Sequence, residues 1–211
     1  MKFSNKQKRE MVKKDYDAIA DTYNNFEDHC KVYEYIEQFL NSLNGNNILD
    51  VGCGTGKFSG YFYSKGYNVT AIDFSEEMLK IAKQNYPKIN FLRKDICNYK
   101  SNKKFDGIFA KYVLFHLPPE DLMKVLNNFY KMLNEHGQIC VILDIPKVAG
   151  EQIVEEEFDK QQKVYFNYFT PDEMVELLQK SNFKVKEKIQ IIEEEIVATY
   201  SYGLVIIFAE K

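Results

Sequence analysis

The sequence lacks the features that mark several large classes of protein. Its 211 residues contain no apolar run of 18 residues, so we expect no membrane-spanning helix. The first ten residues are polar, with no apolar stretch of the kind that a secretory signal needs. The net charge is −3, from 28 basic and 31 acidic residues, which gives no electrostatic footprint for nucleic acid or for an anionic membrane.

Cysteine is scarce and scattered. Cys30, Cys53, Cys97 and Cys140 form no C-x-x-C pair, which argues against a zinc site or a disulfide framework. No metal is expected, and this cysteine usage favours the reducing cytoplasm. With 45% hydrophobic residues the chain can bury a sizeable core, and its length predicts a single domain over residues 1–211.

The most informative stretch that the sequence does contain is a glycine-rich turn, within Asn46–Gly56. It begins with an apolar, β-branched run, which predicts a strand buried on both faces. Gly52, Gly54 and Gly56 then turn the chain into a helical pattern that begins near Lys57. Because glycine has no Cβ, backbone N–H groups in such a turn can approach a ligand closely. The turn is therefore a suitable place for a nucleotide-like ligand.

Three kinds of glycine loop compete for this stretch. A dinucleotide fingerprint needs G-x-G-x-x-G, but Lys57 occupies the place of the third glycine. A P-loop needs a hydroxyl after its lysine, and Phe58 stands there. The sequence D-V-G-C-G-T-G instead resembles the first motif of the class I S-adenosylmethionine (SAM) dependent methyltransferases, whose glycine turn packs against the methionine part and ribose of SAM. By this resemblance the cofactor-binding candidates here are Asp50, Gly52, Cys53 and Gly54.

Acidic residues end three successive predicted strands, at Asp50, Asp73 and Asp95. Carboxyl ends of parallel strands meet in one crevice, so we expect these carboxylates to lie near each other. An acid about 20 residues after the glycine loop suits ribose hydroxyls, and we assign Asp73 that role because Ser75 can cap the next helix. The resemblance places the amine of adenine at Asp95, and it adds further cofactor contacts at Phe74, Met78 and Ile96.

The N-terminal part of the chain has two interpretations. Its first 14 residues are charge-rich, and we expect them to fray at least at their start. Tyr16, Ile19, Ala20 and Tyr23 then share one helical face, which can simply pack on the domain. The pattern Y-D-x-I-A-x-x-Y also resembles the opening of small-molecule methyltransferases. That resemblance implies lid helices over about 10–44, with Tyr16 and Tyr23 in contact with the cofactor.

The fourth predicted strand, Phe105–Tyr112, is followed by V-L-F-H-L-P-P-E, which resembles the fourth motif of the same family. Lys111 at its end is a further cofactor-binding candidate. His116 is a candidate general base, since its pKa lies near neutral pH. A histidine at this place is also often a structural partner of the loop backbone, so both interpretations stay open. Pro118 and Pro119 lack the preceding Asn or Asp of amine-methylating enzymes, and we expect them to begin a helix.

The segment of residues 146–169 interrupts the alternation of strands and helices. Its acidic part, Glu151–Asp159, is expected to be a solvated helix face. Two strands near the end, Lys184–Glu194 and Tyr200–Glu210, have no helix between them and predict an antiparallel hairpin. In the related family an insertion at residues 146–169 helps to build the substrate pocket, and the aromatic candidates for it are Tyr165, Phe166 and Tyr168.

These elements predict an α/β fold, a Rossmann-like three-layer sandwich. Its seven-stranded, mostly parallel sheet has the order 3-2-1-4-5-7-6 and ends in the antiparallel hairpin. The resemblance implies transfer of the SAM methyl group to an O, N or C atom of a small-molecule acceptor by in-line displacement, with S-adenosylhomocysteine as the product. We expect a monomer or homodimer that binds neither nucleic acid nor membrane. A nicotinamide-dependent oxidoreductase and a catalytically silent binding protein of the same fold stay open as alternatives.

Overall fold

The computed structural model describes residues 3–25, 32–155, 159, 162–192 and 201–211. The described strands are β1 (Asn47–Val51), β2 (Asn68–Asp73), β3 (Asn90–Arg93), β4 (Phe105–Lys111), β5 (Leu133–Pro146), β6 (Gly150–Glu155), β7 (Lys163–Tyr168), β8 (Lys184–Ile192) and β9 (Ser201–Glu210). The described helices are α1 (Asn5–Asn25), α2 (Tyr33–Asn41), α3 (Lys57–Ser64), α4 (Glu76–Asn85), α5 (Pro119–Met132) and α6 (Pro171–Lys180), with a 3-10 turn at Leu114–His116.

The main sheet has the order β3-β2-β1-β4-β5-β9-β8. β1 to β5 pair in parallel, and β9 is antiparallel to both of its neighbours. The predicted strand order is confirmed, since the predicted sixth and seventh strands are β8 and β9. The order reverses between β1 and β4, and an open parallel sheet binds ligands at such a point, beyond the carboxyl ends of its strands.

Apolar layers cover both faces of the sheet, because successive side chains of its inner strands point to opposite sides. In β4, Ile108 packs towards α5, and Phe109 packs towards α2 and α3. The ring of Phe109 lies 5.1 Å from that of Phe62 and 6.3 Å from that of Phe39, measured between centroids. The result is the predicted three-layer sandwich, and it holds the ends of β1 to β4 in place.

The helix α1 begins well before the predicted position, at Asn5. The expectation of a frayed start was wrong from this residue onward, because contacts with distant elements hold the first turns. Val12 is buried, Lys8 pairs with Glu151, and the Asn5 side chain donates to Glu120 at 2.9 Å. Residues 26–31 of the predicted lid region, Cys30 among them, lie outside the described part of the chain.

The described beginning of the acidic part, residues 151–155, lies in a strand, so the prediction of a helix was wrong for these residues. β6 pairs antiparallel with β7, with Ile153 opposite Tyr165 and Val154 opposite Val164. These β-branched and aromatic cross-strand pairs stabilise a hairpin. A solvated acidic helix would have no comparable contacts. Residues 156–158 and 160–161 of the acidic stretch lie outside the described residues, as do residues 193–200 between β8 and β9.

Two predictions about helix starts are confirmed. Pro119 is the first residue of α5, where its missing N–H costs nothing. Thr170 and Glu173 form the reciprocal capping box of α6. Within the described ranges, no helix is both long and apolar enough to span a membrane.

Candidate functional site

A cleft of about 720 Å³, including its open mouth, lies beyond the carboxyl ends of β1 to β4. Most of the sequence-predicted residues lie along it, which confirms that the topology brings them together. These lining residues are Tyr16, Tyr23, Gly52, Gly54, Asp73, Phe74, Met78, Asp95, Ile96, Lys111 and His116.

The glycines of the turn between β1 and α3 have different tasks. Gly52 has φ +65°, and a Cβ on it would lie 2.6 Å from Cγ2 of Val113, so this position has no room for a side chain. Gly54 has φ +52°, and a Cβ there would meet only the ring of Tyr23, at 3.6 Å. Both values belong to the left-handed region that glycine adopts without strain. Gly52 therefore permits close packing, and Gly54 leaves its backbone open to the cleft.

Asp73, at the end of β2, connects two loops of the site. Its Oδ2 accepts a hydrogen bond from the Gly54 N–H at 2.9 Å, and its Oδ1 accepts one from the Ser75 N–H at 2.9 Å. Burial raises the pKa of the Asp73 carboxyl, and these backbone bonds oppose the rise. Ser75 itself caps α4 by accepting from the Met78 N–H at 3.1 Å, so the cap does not need Asp73.

Asp95 stands just after β3 on the same side of the sheet. Its Oδ1 accepts from the Cys97 N–H at 2.9 Å, and its Oδ2 accepts from Nδ2 of Asn98 at 3.1 Å. The Nε atom of Arg9 lies 3.7 Å from the same Oδ2. The Asp95 carboxylate is thus held by hydrogen bonds within its own turn and by an ion pair with Arg9 of α1.

Asp50 and Cys53 support the glycine turn without reaching the cleft, whose described lining includes neither. Asp50 is buried and accepts a hydrogen bond from the Ser59 hydroxyl. Burial raises the pKa of Asp50 from 3.8 to about 7; the Ser59 bond opposes the rise and the charge of Asp73 adds to it. Burial also raises the pKa of the Cys53 thiol, which is therefore not a reactive thiolate at neutral pH.

His116 connects α1 to the insertion. Its Nδ1 lies 3.0 Å from the Tyr165 carbonyl oxygen, which can only accept, so Nδ1 carries the proton. Nε2 is then the acceptor for the Tyr16 hydroxyl, at 2.8 Å. Burial lowers the pKa of His116 from 6.5 to about 4, although the bond to Tyr165 raises it. The imidazole is therefore neutral near pH 7, with both of its nitrogens engaged.

The three aromatic candidates for the substrate pocket lie one layer further from the cleft than expected. Tyr165 and Tyr168 are buried, and the ring of Phe166 lies 4.7 Å from that of His116. Phe166 and Tyr168 stack at 4.8 Å. The described lining of the cleft contains none of these three aromatic residues, and they contact it through His116.

The end of β4 combines positive charge with aromatic rings. The ammonium of Lys111 lies 3.8 Å from the ring centroid of Tyr112 and 5.2 Å from that of Phe58. Tyr112 has φ +55°, a left-handed conformation that is rare for a bulky residue and is typical of functional sites. This turn directs the chain from β4 into the loop that carries His116.

Sequence reasoning missed part of the lining. The missed residues are Arg9, Val12, Ile72, Lys94, Tyr112, Val113 and Leu117. A signal for two of them was present, because Arg9 and Val12 precede Tyr16 by seven and four residues and so share its helical face. Arg9 was not predicted because the first 14 residues are charge-rich, which indicated a segment exposed to solvent.

The family model described as "Methyltransferase domain" matches residues 48–137, from β1 through the start of β5. This match and the fold support a class I SAM-dependent methyltransferase. The matched range contains the glycine turn, both strand-end carboxylates of the cleft and His116, while α1 and the insertion lie outside it.

Relatives of this methyltransferase include two O-methyltransferases. The ubiquinone biosynthesis O-methyltransferase of Rickettsia canadensis (strain McKiel) is 29% identical over 168 residues, which cover 74% of this chain and 70% of that protein. The malonyl-[acyl-carrier protein] O-methyltransferase 1 of Ilyobacter polytropus is 32% identical over 139 residues. That match covers 63% of this chain, and about half (51%) of the relative.

Solved structures share the fold of this methyltransferase. The 1,6-didemethyltoxoflavin-N1-methyltransferase of Burkholderia thailandensis, crystallised with its substrate and S-adenosylhomocysteine, has a TM-score of 0.76 at 17% identity, covering 100% of this chain and 92% of that one. The magnesium protoporphyrin IX methyltransferase of Synechocystis, with bound SAM, has a TM-score of 0.71 at 14% identity, with 97% of each chain covered. At these identities the comparison supports the three-layer fold.

Proposed function

We propose that this methyltransferase binds SAM along the cleft and transfers its methyl group to an O, N or C atom of a small-molecule acceptor. The observation that carries the proposal is the convergence of Gly54, Asp73 and Asp95 on one cleft at the switch point of the sheet. When bound, SAM supplies a methyl group that its sulfonium already activates. The protein then has to hold, align and enclose the two reactants.

The adenosine part of SAM suits the side of the cleft formed by β2 and β3. Each Asp73 oxygen accepts one backbone hydrogen bond and keeps a lone pair, so the carboxylate can accept from both ribose hydroxyls without moving. Asp95 is assigned the exocyclic amine of adenine, with the Ile96 N–H at a ring nitrogen. Phe74 and Met78 supply apolar surface along the base.

The methionine part suits the side formed by the glycine turn and β4. Gly52 and Gly54 allow the backbone to approach it, and Tyr23 lies over Gly54. The Lys111 ammonium offers a charge-assisted partner for the carboxylate. Asp50 and Cys53 belong to this site as supports beneath the turn.

The acceptor is placed beside Tyr16, His116 and Leu117, where α1 and the β6–β7 hairpin close the cleft. Tyr165, Phe166 and Tyr168 shape this side from behind, by holding the imidazole of His116. The names of the Rickettsia and Burkholderia relatives point to ubiquinone biosynthesis and to 1,6-didemethyltoxoflavin, which supports a small-molecule acceptor here too.

Alignment and exclusion of water are the main contributions that the chain makes to the reaction. The neutral imidazole of His116 orients the Tyr16 hydroxyl towards the acceptor side. Its pKa of about 4 makes it a weak base, so its role as a general base remains a prediction. His116→Ala should lower kcat with little change in SAM affinity if that prediction holds, and an unchanged kcat would leave His116 a structural partner only.

We further propose that the enzyme acts in the cytoplasm, as a monomer or homodimer, without a nucleic acid or membrane partner. The net charge of −3 supports the absence of a polyanionic partner. The unpaired cysteines Cys53, Cys97 and Cys140 support a reducing compartment.

The proposed function is tested by calorimetric titration of the protein with SAM, S-adenosylhomocysteine and NADH. We expect micromolar binding of the two adenosyl ligands and none of NADH. An acceptor screen with SAM, read by mass spectrometry of the products, then identifies the methylated atom. Failure of both adenosyl ligands to bind, or binding of NADH alone, would contradict the proposal.

A further inference from the structure

Arg9 on α1 contacts two aspartates from two other elements at the adenine side of the cleft. Arg9 is one of the residues that line the cleft. Nη1 donates to Oδ2 of Asp121, and Nε lies 3.7 Å from Oδ2 of Asp95. Asp121 belongs to the first turn of α5, and Asp95 follows β3. A single side chain thus connects the N-terminal helix with both elements.

Asp121 anchors this arrangement. Its side chain is only 10% exposed, whereas that of Asp95 is 33% exposed. A carboxylate this buried is strongly destabilised without a partner. Arg9 is its closer and less exposed cation, since Nζ of Lys124 lies 3.6 Å from Oδ1 on a side chain that is 70% exposed. The planar guanidinium presents its donors in a rigid fork, and anchoring one nitrogen therefore sets the direction of the others. In this geometry Nε lies within ion-pair distance of the Asp95 carboxylate, at 3.7 Å.

The same helix is attached to the opposite rim of the adenine side. Oδ1 of Asp17 accepts from the Ser75 hydroxyl at 2.7 Å and from the Glu76 N–H at 3.0 Å. Asp17 therefore connects α1 to the start of α4, next to Phe74. With Arg9 on one rim and Asp17 on the other, α1 crosses the cleft directly over the place proposed for adenine.

We propose that Arg9 is a positioning residue for the adenine of the cofactor, an inference that rests on the proposed orientation of SAM. Anchored by Asp121, it holds the Asp95 carboxylate towards the base and keeps α1 closed over it. The exocyclic amine of adenine donates to a carboxylate, whereas the oxygen at the same place in hypoxanthine is repelled by one. Arg9 therefore acts on the choice of base as well as on affinity.

The test is calorimetric titration of the wild type, Arg9→Ala, Arg9→Lys and Lys8→Ala with S-adenosylhomocysteine and S-inosylhomocysteine. Lys8 is the matched control, because it is the adjacent cation on the same helix and pairs with Glu151 instead. Loss of one charge-assisted contact predicts that Arg9→Ala binds S-adenosylhomocysteine about tenfold more weakly. The preference of Arg9→Ala for adenine over hypoxanthine should fall by about fivefold, because the Asp95 carboxylate is then held less firmly towards the base. Arg9→Lys should be intermediate, and Lys8→Ala should stay within about twofold of the wild type for both ligands.

Two results would overturn the role of Arg9. One is unchanged binding by Arg9→Ala, and the other is equal weakening of both ligands, which indicates a purely structural contribution. If Arg9→Ala does not fold by circular dichroism, Arg9→Lys and Asp121→Asn decide by the same ratio. A wild type that binds no S-adenosylhomocysteine would contradict the proposed function itself, so the two failures are distinguishable.

Discussion

The two sides of the cleft are held in different ways. The strand wall, formed by Gly52, Gly54, Asp73 and Asp95, is held by hydrogen bonds between carboxylates and backbone N–H groups of adjacent loops. The helix wall, formed by Arg9 and Tyr16 of α1, is held by side-chain contacts with other elements, and Asp17 of the same helix accepts from the Ser75 hydroxyl.

This difference divides the tasks of the site. Backbone contacts between parallel strands persist as long as the sheet is folded, so the strand wall is pre-formed for its ligand. Side-chain contacts at a cleft mouth can break one at a time, and we propose that the helix wall opens and closes around the cofactor. Substitutions in the strand wall should therefore change affinity and stability most, and those in the helix wall should change closure.

The largest effect is expected for Gly52→Ala in the strand wall. The new Cβ would lie 2.6 Å from Val113 at a φ of +65°. Strain and overpacking together should lower the free energy of unfolding by about 4 kcal/mol. Urea unfolding measures the loss, and titration should show no S-adenosylhomocysteine binding.

Gly66→Ala is the control for this change. Gly66 has φ +89°, but a Cβ there would meet nothing within 4 Å. It should therefore show the cost of backbone strain alone, with cofactor affinity unchanged. Equal effects of both variants would contradict a packing role for Gly52.

A second comparison uses pH, with one buried titratable group in contact with each wall. The pKa of His116 is lowered from 6.5 to about 4, so between these values the unfolded chain binds a proton that the folded chain refuses. Stability from His116 is then present above pH 6.5 and is lost as the pH falls towards 4, by at most about 3 kcal/mol. Urea unfolding across this range should show the loss, and His116→Gln should flatten it.

The contribution of Asp50 to the pH dependence of stability has the opposite sign. Its pKa is raised from 3.8 to about 7, so between these values the folded chain keeps a proton that the unfolded chain releases. Asp50 therefore lowers stability as the pH rises from 3.8 towards 7. Asp50→Asn should remove this decline, and a variant whose pH profile matches the wild type would refute the raised pKa.

Asp73→Asn should separate affinity from folding in the strand wall. The amide has only one oxygen, so it cannot accept from two ribose hydroxyls and from both backbone N–H groups. The Kd for S-adenosylhomocysteine should rise by about thirtyfold. Asp106→Asn is the control, because Asp106 also accepts from a backbone N–H, that of Asn47 at 3.0 Å, outside the lining of the cleft. It should lower stability while leaving affinity unchanged.

The smallest effect is expected for Tyr16→Phe in the helix wall. The change removes the hydroxyl that donates to Nε2 of His116 and leaves this buried acceptor unpaired. We expect kcat/KM to fall by about fivefold, with cofactor affinity within about twofold, because a neutral hydrogen bond is worth about 1 kcal/mol. Tyr63→Phe, at a 45% exposed tyrosine, should change neither. A larger effect on affinity than on kcat/KM would contradict the proposed division of tasks.

The sequence predicted the strand wall well because its signals are local. A buried strand, a glycine turn and a strand-end acid stand within a few residues of each other, and the rule that parallel strands share one crevice does the rest. The helix wall was predicted only in part. Arg9 stands in a charge-rich segment, which is typical of a solvated surface. Its side chain is ordered by Asp121, which is more than 100 residues away in the chain.

The insertion shows a second limit of sequence reasoning. The acidic β6 resembles a helix face by composition, and only its pairing with β7 makes it a strand. Tyr165 and Tyr168 lie behind the lining of the cleft for the same reason, because the pairing of β7 with β6 sets their positions. An aromatic residue near a site is as readily a support as a lining residue, and tertiary packing decides between them.

The position of β9 has a consequence for how the protein is made. β9 follows every other described element in the chain, yet it lies inside the sheet, between β5 and β8. A ribosome releases the chain from its N-terminus, so β5 keeps an unpaired edge and β8 has no neighbour until β9 has left the exit tunnel. Such late, non-local pairing slows folding and exposes strand edges meanwhile. Translation pauses shortly before Ser201 should therefore lower the yield of native enzyme.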